Sequence, residues 1–154
     1  MLWMGSMETM DAPKPKVLFL CTGNSARSQM AEAFLRKYAS DHFEVHSAGI
    51  EPSVVNPSTI RVMEEIGMDM SAHRSKSLSE YLGKVHFAYL ITVCDRAEQK
   101  CPIFPGMGVR LHWPFEDPVA VIGSDEQKLA RFRQVRDQIG LKIVEWLQTK
   151  FNAR

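Results

Sequence analysis

Several things are missing from this 154-residue chain, and each absence removes a class of function. No apolar run reaches the roughly 20 residues that a membrane-spanning helix needs. The opening, MLWMGSMETMDAPKPK, has neither the basic start nor the apolar stretch of an export signal. A surplus of one charge is also missing: 19 basic and 18 acidic residues leave +1, so there is no general attraction for nucleic acid or an anionic membrane. There is no His-Glu-x-x-His pair for zinc and no Gly-x4-Gly-Lys phosphate loop. Cysteine is scarce, with only Cys21, Cys94 and Cys101. An odd count without an export signal argues against a structural disulfide framework. The default for such thiols is burial as inert apolar groups. A cytoplasmic protein is expected, and a monomer, since no feature demands an oligomer.

What is present is a core-forming chain, 45% hydrophobic and 24% charged. Residues 1–15 read as a disordered tail, in which Gly5-Ser6-Met7 resembles a cloning scar and Met7 is an equal candidate for a start residue. Residues 16–150 read as a single catalytic domain. Lys16–Leu20, Phe43–His46, Phe87–Val93 and Val109–His112 are apolar runs suited to strands. Ser25 to Tyr38 carries helical spacing, with Met30, Ala33, Phe34 and Tyr38 on one face. Asn56-Pro57 starts a second helix, stopped by Gly67. Ser124 and Gln127 form a capping box ahead of a long last helix. The alternation predicts an α/β fold: a small, doubly wound, four-stranded parallel sheet with helices on both faces and an anion-binding loop after the first strand. In such folds ligands bind at the carboxyl ends of the strands. Cys21, Cys94 and the stretch after His112 all fall at such ends.

The first of these ends is the most informative. Cys21-Thr22-Gly23-Asn24-Ser25-Ala26-Arg27-Ser28 joins a strand to a helix. Gly23 and Asn24 tolerate the positive φ of a tight loop. Backbone N–H groups and a helix N-terminus then converge on a phosphate-sized anion. A thiol in that setting is expected to fall from about 8.5 to about 3.5–7.5. Arg27 is placed to fork onto two oxygens of a tetrahedral oxyanion, and Ser28 to hydrogen-bond the Cys21 sulfur. The competing reading is a plain strand–helix turn with a buried cysteine.

CTGNSARS followed by QMAEAF resembles the low-molecular-weight phosphatase superfamily, especially its arsenate reductase branch, over residues 16–148. The resemblance implies Cys21 as nucleophile and Asn24, Arg27 and Ser28 as shapers of the loop. Gln29 stands where the phosphatases usually carry proline, as in the reductases. Asp117-Pro118 is the chain's only Asp-Pro. On its own it reads equally as a turn or as a general acid; the resemblance implies the acid, with Glu116 a nearby decoy.

Cys94 and Cys101 then acquire a reason to exist. Hydrolysis moves no electrons, whereas reducing arsenate to arsenite takes two, which a pair of thiols supplies. The expected relay runs from attack of Cys21 on arsenate, to a Cys21–Cys94 disulfide, to a Cys94–Cys101 disulfide. The family implies thioredoxin as the reductant, with no bound cofactor and with phosphate or sulfate as mimics of arsenate. If residues 94–101 were helical, the two Cα atoms would lie about 10 Å apart, beyond the roughly 7 Å limit of a disulfide. The segment is therefore expected to unwind on oxidation, with Pro102 and Pro105 at its far boundary.

Some reductases of the family bind potassium behind the loop. Asn24, Glu32 and Ser47 match part of that site, but Arg74 and Lys76 stand where other members offer oxygens, so no metal is expected. A zinc site from Cys94, Cys101 and His112 lacks a fourth ligand. His42 and His46 read as surface or satisfied histidines. Two alternatives stand beside the reductase: a protein-tyrosine phosphatase with incidental cysteines, and a non-catalytic oxyanion-binding or redox-sensing protein.

Overall fold

Parallel pairing begins with β1 (Lys16–Cys21), whose run KVLFLC is buried along all but its first residue. Apolar side chains on both faces suit a central strand. In the computed structural model, which describes residues 13–101 and 108–151, β1 lies between β2 (Glu44–Gly49) and β3 (Tyr89–Thr92). β4 (Val109–His112) pairs with β3, all pairings are parallel, and the order is β2-β1-β3-β4. This is the fold class expected. Most of the expected 1–15 tail, and both Pro102 and Pro105, lie outside the described residues. Pro15 is described, and its carbonyl accepts from Glu44 N at 3.0 Å, extending the β1–β2 ladder by one bond.

The helices are α1 (Arg27–Ala39), α2 (Pro57–Glu64), α3 (Asp95–Lys100) and α4 (Asp125–Phe151). α1, α2 and α4 pack together, with α1 against β1 and β2. Ser47, on that side of β2, meets Glu32 of α1. Its neighbour His46 points to the opposite face, where Tyr81 and Phe87 cover it beyond the 3₁₀ turn Leu78–Glu80. Asn56 caps α2 by accepting from Ser58 N at 2.8 Å, and Gly67 follows its end at φ 81°. The capping box is reciprocal: Ser124 N donates to Gln127 Oε1 at 2.8 Å, and Gln127 N to Ser124 Oγ at 3.2 Å.

Three boundaries differ clearly from expectation. β2 runs Glu44–Gly49 rather than Phe43–His46, because Ser47, Ala48 and Gly49 stay paired with Phe19, Leu20 and Cys21. α1 starts at Arg27 rather than Ser25, because Ser25 and Ala26 are spent on the loop; the first helical bond is Met30 N to Ala26 O, 2.9 Å. β3 is shorter than Phe87–Val93, although Ala88 N and Val93 N still donate to Lys16 O and Leu20 O at 2.9 Å. The run is buried as expected while its ends leave the pleat.

The strand order positions the site. From β1 the chain crosses to β2 on one side, and from β3 it crosses to β4 on the other. The loops after β1 and β3 therefore diverge and leave a crevice between neighbouring strand ends. Leu20 is in register with Thr92, so Cys21 and Cys94 emerge side by side.

Candidate active site

The loop from Cys21 to Ser28 is held from behind by a buried polar network. Asn24 takes the left-handed conformation, φ 51°, and is fully buried. Its Nδ2 donates to Ser28 Oγ (2.8 Å) and Ser47 Oγ (3.0 Å). Its Oδ1 accepts from Lys76 N (2.8 Å) and Gln29 Nε2 (3.0 Å). Gln29 in turn meets His73 Nδ1 at 2.9 Å and donates to Arg74 O at 2.8 Å. Gly23 O accepts from Ser75 Oγ at 2.9 Å. Thr22 O and Ser25 O accept from Glu51 N and Asn56 N at 2.9 and 3.0 Å. A Cβ on Gly49 would sit 2.6 Å from Thr22 O and 3.0 Å from Asn24 N, so β2 must end in glycine for the loop to lie against it. Ala26, at the N-cap of α1, offers no side-chain cap. The first-turn N–H groups of α1 thus stay available to an anion.

Arg27 reaches across the crevice. It donates from Nη1 to Phe115 O at 3.0 Å, and its Nη2 lies 3.7 Å from Asp117 Oδ2. Asp117 Oδ1 accepts from Val119 N at 3.0 Å, which fixes the carboxylate at the rim. The decoy Glu116 pairs instead with Arg131 of α4. Ser28 differs from expectation: its hydroxyl is engaged by Asn24 rather than by the Cys21 sulfur, because the loop turns it into the buried network.

The three thiols are reduced and buried. Cys21 and Cys94 hydrogen-bond to each other, and Thr22 Oγ1 lies 3.3 Å from Cys94 Sγ. That shared proton pulls Cys94 down to about 5 and pushes Cys21 up. Burial also raises Cys21, while the Arg27 charge pulls it down. The two thiols titrate as one pair, so the acidity expected of Cys21 belongs to the pair, with Cys94 carrying the lowered value. Cys101, at the other end of α3, is raised chiefly by burial.

Behind the loop, Lys76 Nζ lies 3.5 Å from Glu32 Oε1, 3.4 Å from Ser47 Oγ and 3.1 Å from Arg74 O. An ammonium thus sits among the oxygens that would hold a cation, and the residues do not fit potassium. Arg74 plays no such part: its guanidinium pairs with Glu80 at the surface, at 2.9 Å. Among the described residues no group of three His, Cys, Asp or Glu is placed to hold a metal. None of their helices is long and apolar enough to cross a membrane.

Sequence reading missed Gly49, Thr22 as a partner of Cys94, and His73. It weighed Gln29 only as a departure from proline. Gly49 had a local signal, as the glycine ending Ser47-Ala48-Gly49; the others act across long stretches of chain.

A thiol at a strand end, an eight-residue anion loop and an opposed Arg–Asp pair define a class of nucleophilic oxyanion-handling proteins. The chain belongs to the low molecular weight phosphotyrosine protein phosphatase family, whose model matches residues 16–153. It is 45% identical over 137 residues to an arsenate reductase of Halalkalibacterium halodurans, covering 88% of this chain and 97% of that one. A solved arsenate reductase in the phosphate-binding state superposes with a TM-score of 0.74 at 32% identity, over 88% of this chain and 98% of that one. A thioredoxin-dependent arsenate reductase of Corynebacterium glutamicum superposes with a TM-score of 0.69 at 28% identity, over 97% and 68% of the two chains.

Proposed function

We propose that this chain is a cytoplasmic, monomeric arsenate reductase that works through Cys21, Cys94 and Cys101 and is recycled by thioredoxin. One observation carries the reading: a second buried thiol, Cys94, emerges beside Cys21 at the end of the adjoining strand. A hydrolase has no use for it, whereas a reductase cannot turn over without it. The similarity to arsenate reductases supports the same reading.

Arsenate seats in the loop as phosphate would, with Arg27 and the first-turn N–H groups on its oxygens. Cys21 attacks arsenic. An S–As bond forms, an As–O bond breaks, and the oxygen leaves as water with the thiol proton, aided by Asp117 as proton donor. Cys94, as thiolate, then attacks Cys21 Sγ. The S–S bond forms and the S–As electron pair stays on arsenic, which falls from As(V) to As(III) and leaves, after protonation, as arsenite. Cys101 attacks Cys94 Sγ and expels Cys21 as thiolate. The dithiol of thioredoxin reduces the Cys94–Cys101 disulfide. Residues 22–28 bind substrate; no bound cofactor is needed, and Lys76 takes the place of potassium. Slow hydrolysis of aryl phosphates is expected from the same loop.

The test is arsenate-dependent NADPH oxidation with thioredoxin and thioredoxin reductase, run beside Cys101→Ser. Turnover is expected in the parent. The variant should release about one arsenite per chain and stop. Brisk aryl-phosphate hydrolysis without NADPH oxidation would sink the reading in favour of a phosphatase. Arsenate binding with neither activity would favour an oxyanion-binding protein.

A further inference from the structure

We propose that Arg110 is a latch on α3: it holds the C-terminal turn of that helix closed and so sets how readily Cys94 and Cys101 join. The inference rests on the three-thiol reading above. Cys94 and Cys101 occupy the two caps of α3. Seven residues of helical rise place them about 10 Å apart, too far for a disulfide. Cys94 is fixed beside Cys21 and Thr22 at the end of β3, so the end that must move is the one carrying Cys101.

That end is gripped from β4 chiefly by Arg110, with His112 Nδ1 also 3.8 Å from Glu98 Oε2. Arg110 Nη2 donates to Glu98 O at 2.8 Å, and Nη1 reaches Cys101 O at 3.4 Å. These are carbonyls of the last helical turn, which a helix leaves without internal partners. The same guanidinium grips the helix a second time, through Nε to Glu98 Oε1 at 2.8 Å. The pair is shielded, at 24% and 31% side-chain exposure, unlike the Arg96–Glu51 bridge at the other end of α3 (51% and 59%). A cation at a helix C-terminus also complements the helix dipole. Within α3 itself only Ala97 is buried, so the hold on its last turn comes from Arg110 together with the burial of the Cys101 side chain that caps it. Closing the Cys94–Cys101 disulfide unwinds the final turn and forfeits these bonds. Arg110 therefore favours the dithiol, and its removal favours the disulfide. It touches no reacting atom and acts as a positioning residue.

The experiment uses the full chain with Cys21→Ser, which leaves only Cys94 and Cys101 to pair. The protein is equilibrated with reduced and oxidised glutathione; each protein disulfide formed consumes one glutathione disulfide and releases two thiols. Alkylation and mass measurement give the fraction oxidised. Arg110→Ala should shift the equilibrium toward the disulfide by about fivefold, and Arg110→Lys, which keeps charge but loses the fork, by less. Glu98→Gln retains the carbonyl bonds and should shift it the same way by about twofold, which serves if the alanine variant does not fold. A normal disulfide whose equilibrium is unmoved in Arg110→Ala and Glu98→Gln overturns the latch alone. A Cys21→Ser protein that forms no Cys94–Cys101 disulfide at any glutathione ratio overturns the three-thiol reading and the latch with it.

Discussion

The two halves of the site are built on opposite plans. The anion loop is backed by side chains with no exposure at all, Asn24, Ser28, Gln29 and Ser47, each hydrogen-bonded to the others or to backbone. Among the described residues no buried side-chain polar atom lacks a partner. α3, only six residues long, is held from outside by Asp95–His112, Arg96–Glu51 and Glu98–Arg110. So short a helix is marginal by itself. Holding a tetrahedral oxyanion requires donors already aimed, because reorganising them would consume the binding energy. The relay proposed above would pass a disulfide along α3, which requires sulfurs to change neighbours and a helix between them that is cheap to open.

The sharpest break in this comparison lies where the halves meet. Cys94 is held down to about 5 chiefly by its hydrogen bond from Cys21. Above that value it is a thiolate, and below it the thiol reforms. Alkylation of Cys94 should therefore stay fast down to about pH 5. In Cys21→Ala, which removes the donor altogether, the strongest support is lost, burial pushes the thiol up, and at pH 6 alkylation should slow on the order of 10²-fold. An unchanged rate would mean that α3 sets the acidity of Cys94 without help from the loop.

Next in size is Asn24→Ala. It strips four hydrogen bonds from a buried network and puts alanine at φ 51°. A loss of about 3 kcal/mol is expected, read by urea unfolding. Lys76→Met should cost less, about 2 kcal/mol, because Arg36 remains 2.6 Å from Glu32. That variant should recover part of its stability in potassium chloride but not in choline chloride, while the parent shows no difference. A parent that gains stability from potassium would remove Lys76 from its assigned place.

The legibility of the molecule in its sequence follows the same division. Ser124 with Gln127, Asn56 with Pro57, and the Cys21–Arg27 loop were readable because each is a local arrangement whose geometry follows from a few adjacent residues. The loop's supports were not. Gln29 meets Arg74 across 45 positions and Asn24 meets Lys76 across 52. Nothing in the spacing of those residues announces that β2 and the chain after α2 will press against the loop. That the acidity expected of Cys21 belongs to a pair was hidden for the same reason: the nest was visible, but the thiol that titrates with Cys21 lies 73 positions along the chain. The helix between Cys94 and Cys101, by contrast, was posed in advance as a condition and is met by Asp95–Lys100, because a helix is a local arrangement.

The smallest expected effect is the most exposed test of the contrast. Arg96 bridges α3 to Glu51, whose backbone N–H is bonded to Thr22 O, so the pair links the helix directly to the loop. Both side chains are more than half exposed, where water screens their attraction and ordering two long side chains offsets much of it. Arg96→Ala should change unfolding stability by no more than about 0.5 kcal/mol, measured in parallel with Asn24→Ala. If the two variants cost the same, the loop is no better anchored than the helix and the division of labour fails. If Arg96→Ala is silent while Asn24→Ala is costly, the loop's stability is its own, and α3 is free to open without loosening the place where the oxyanion is held.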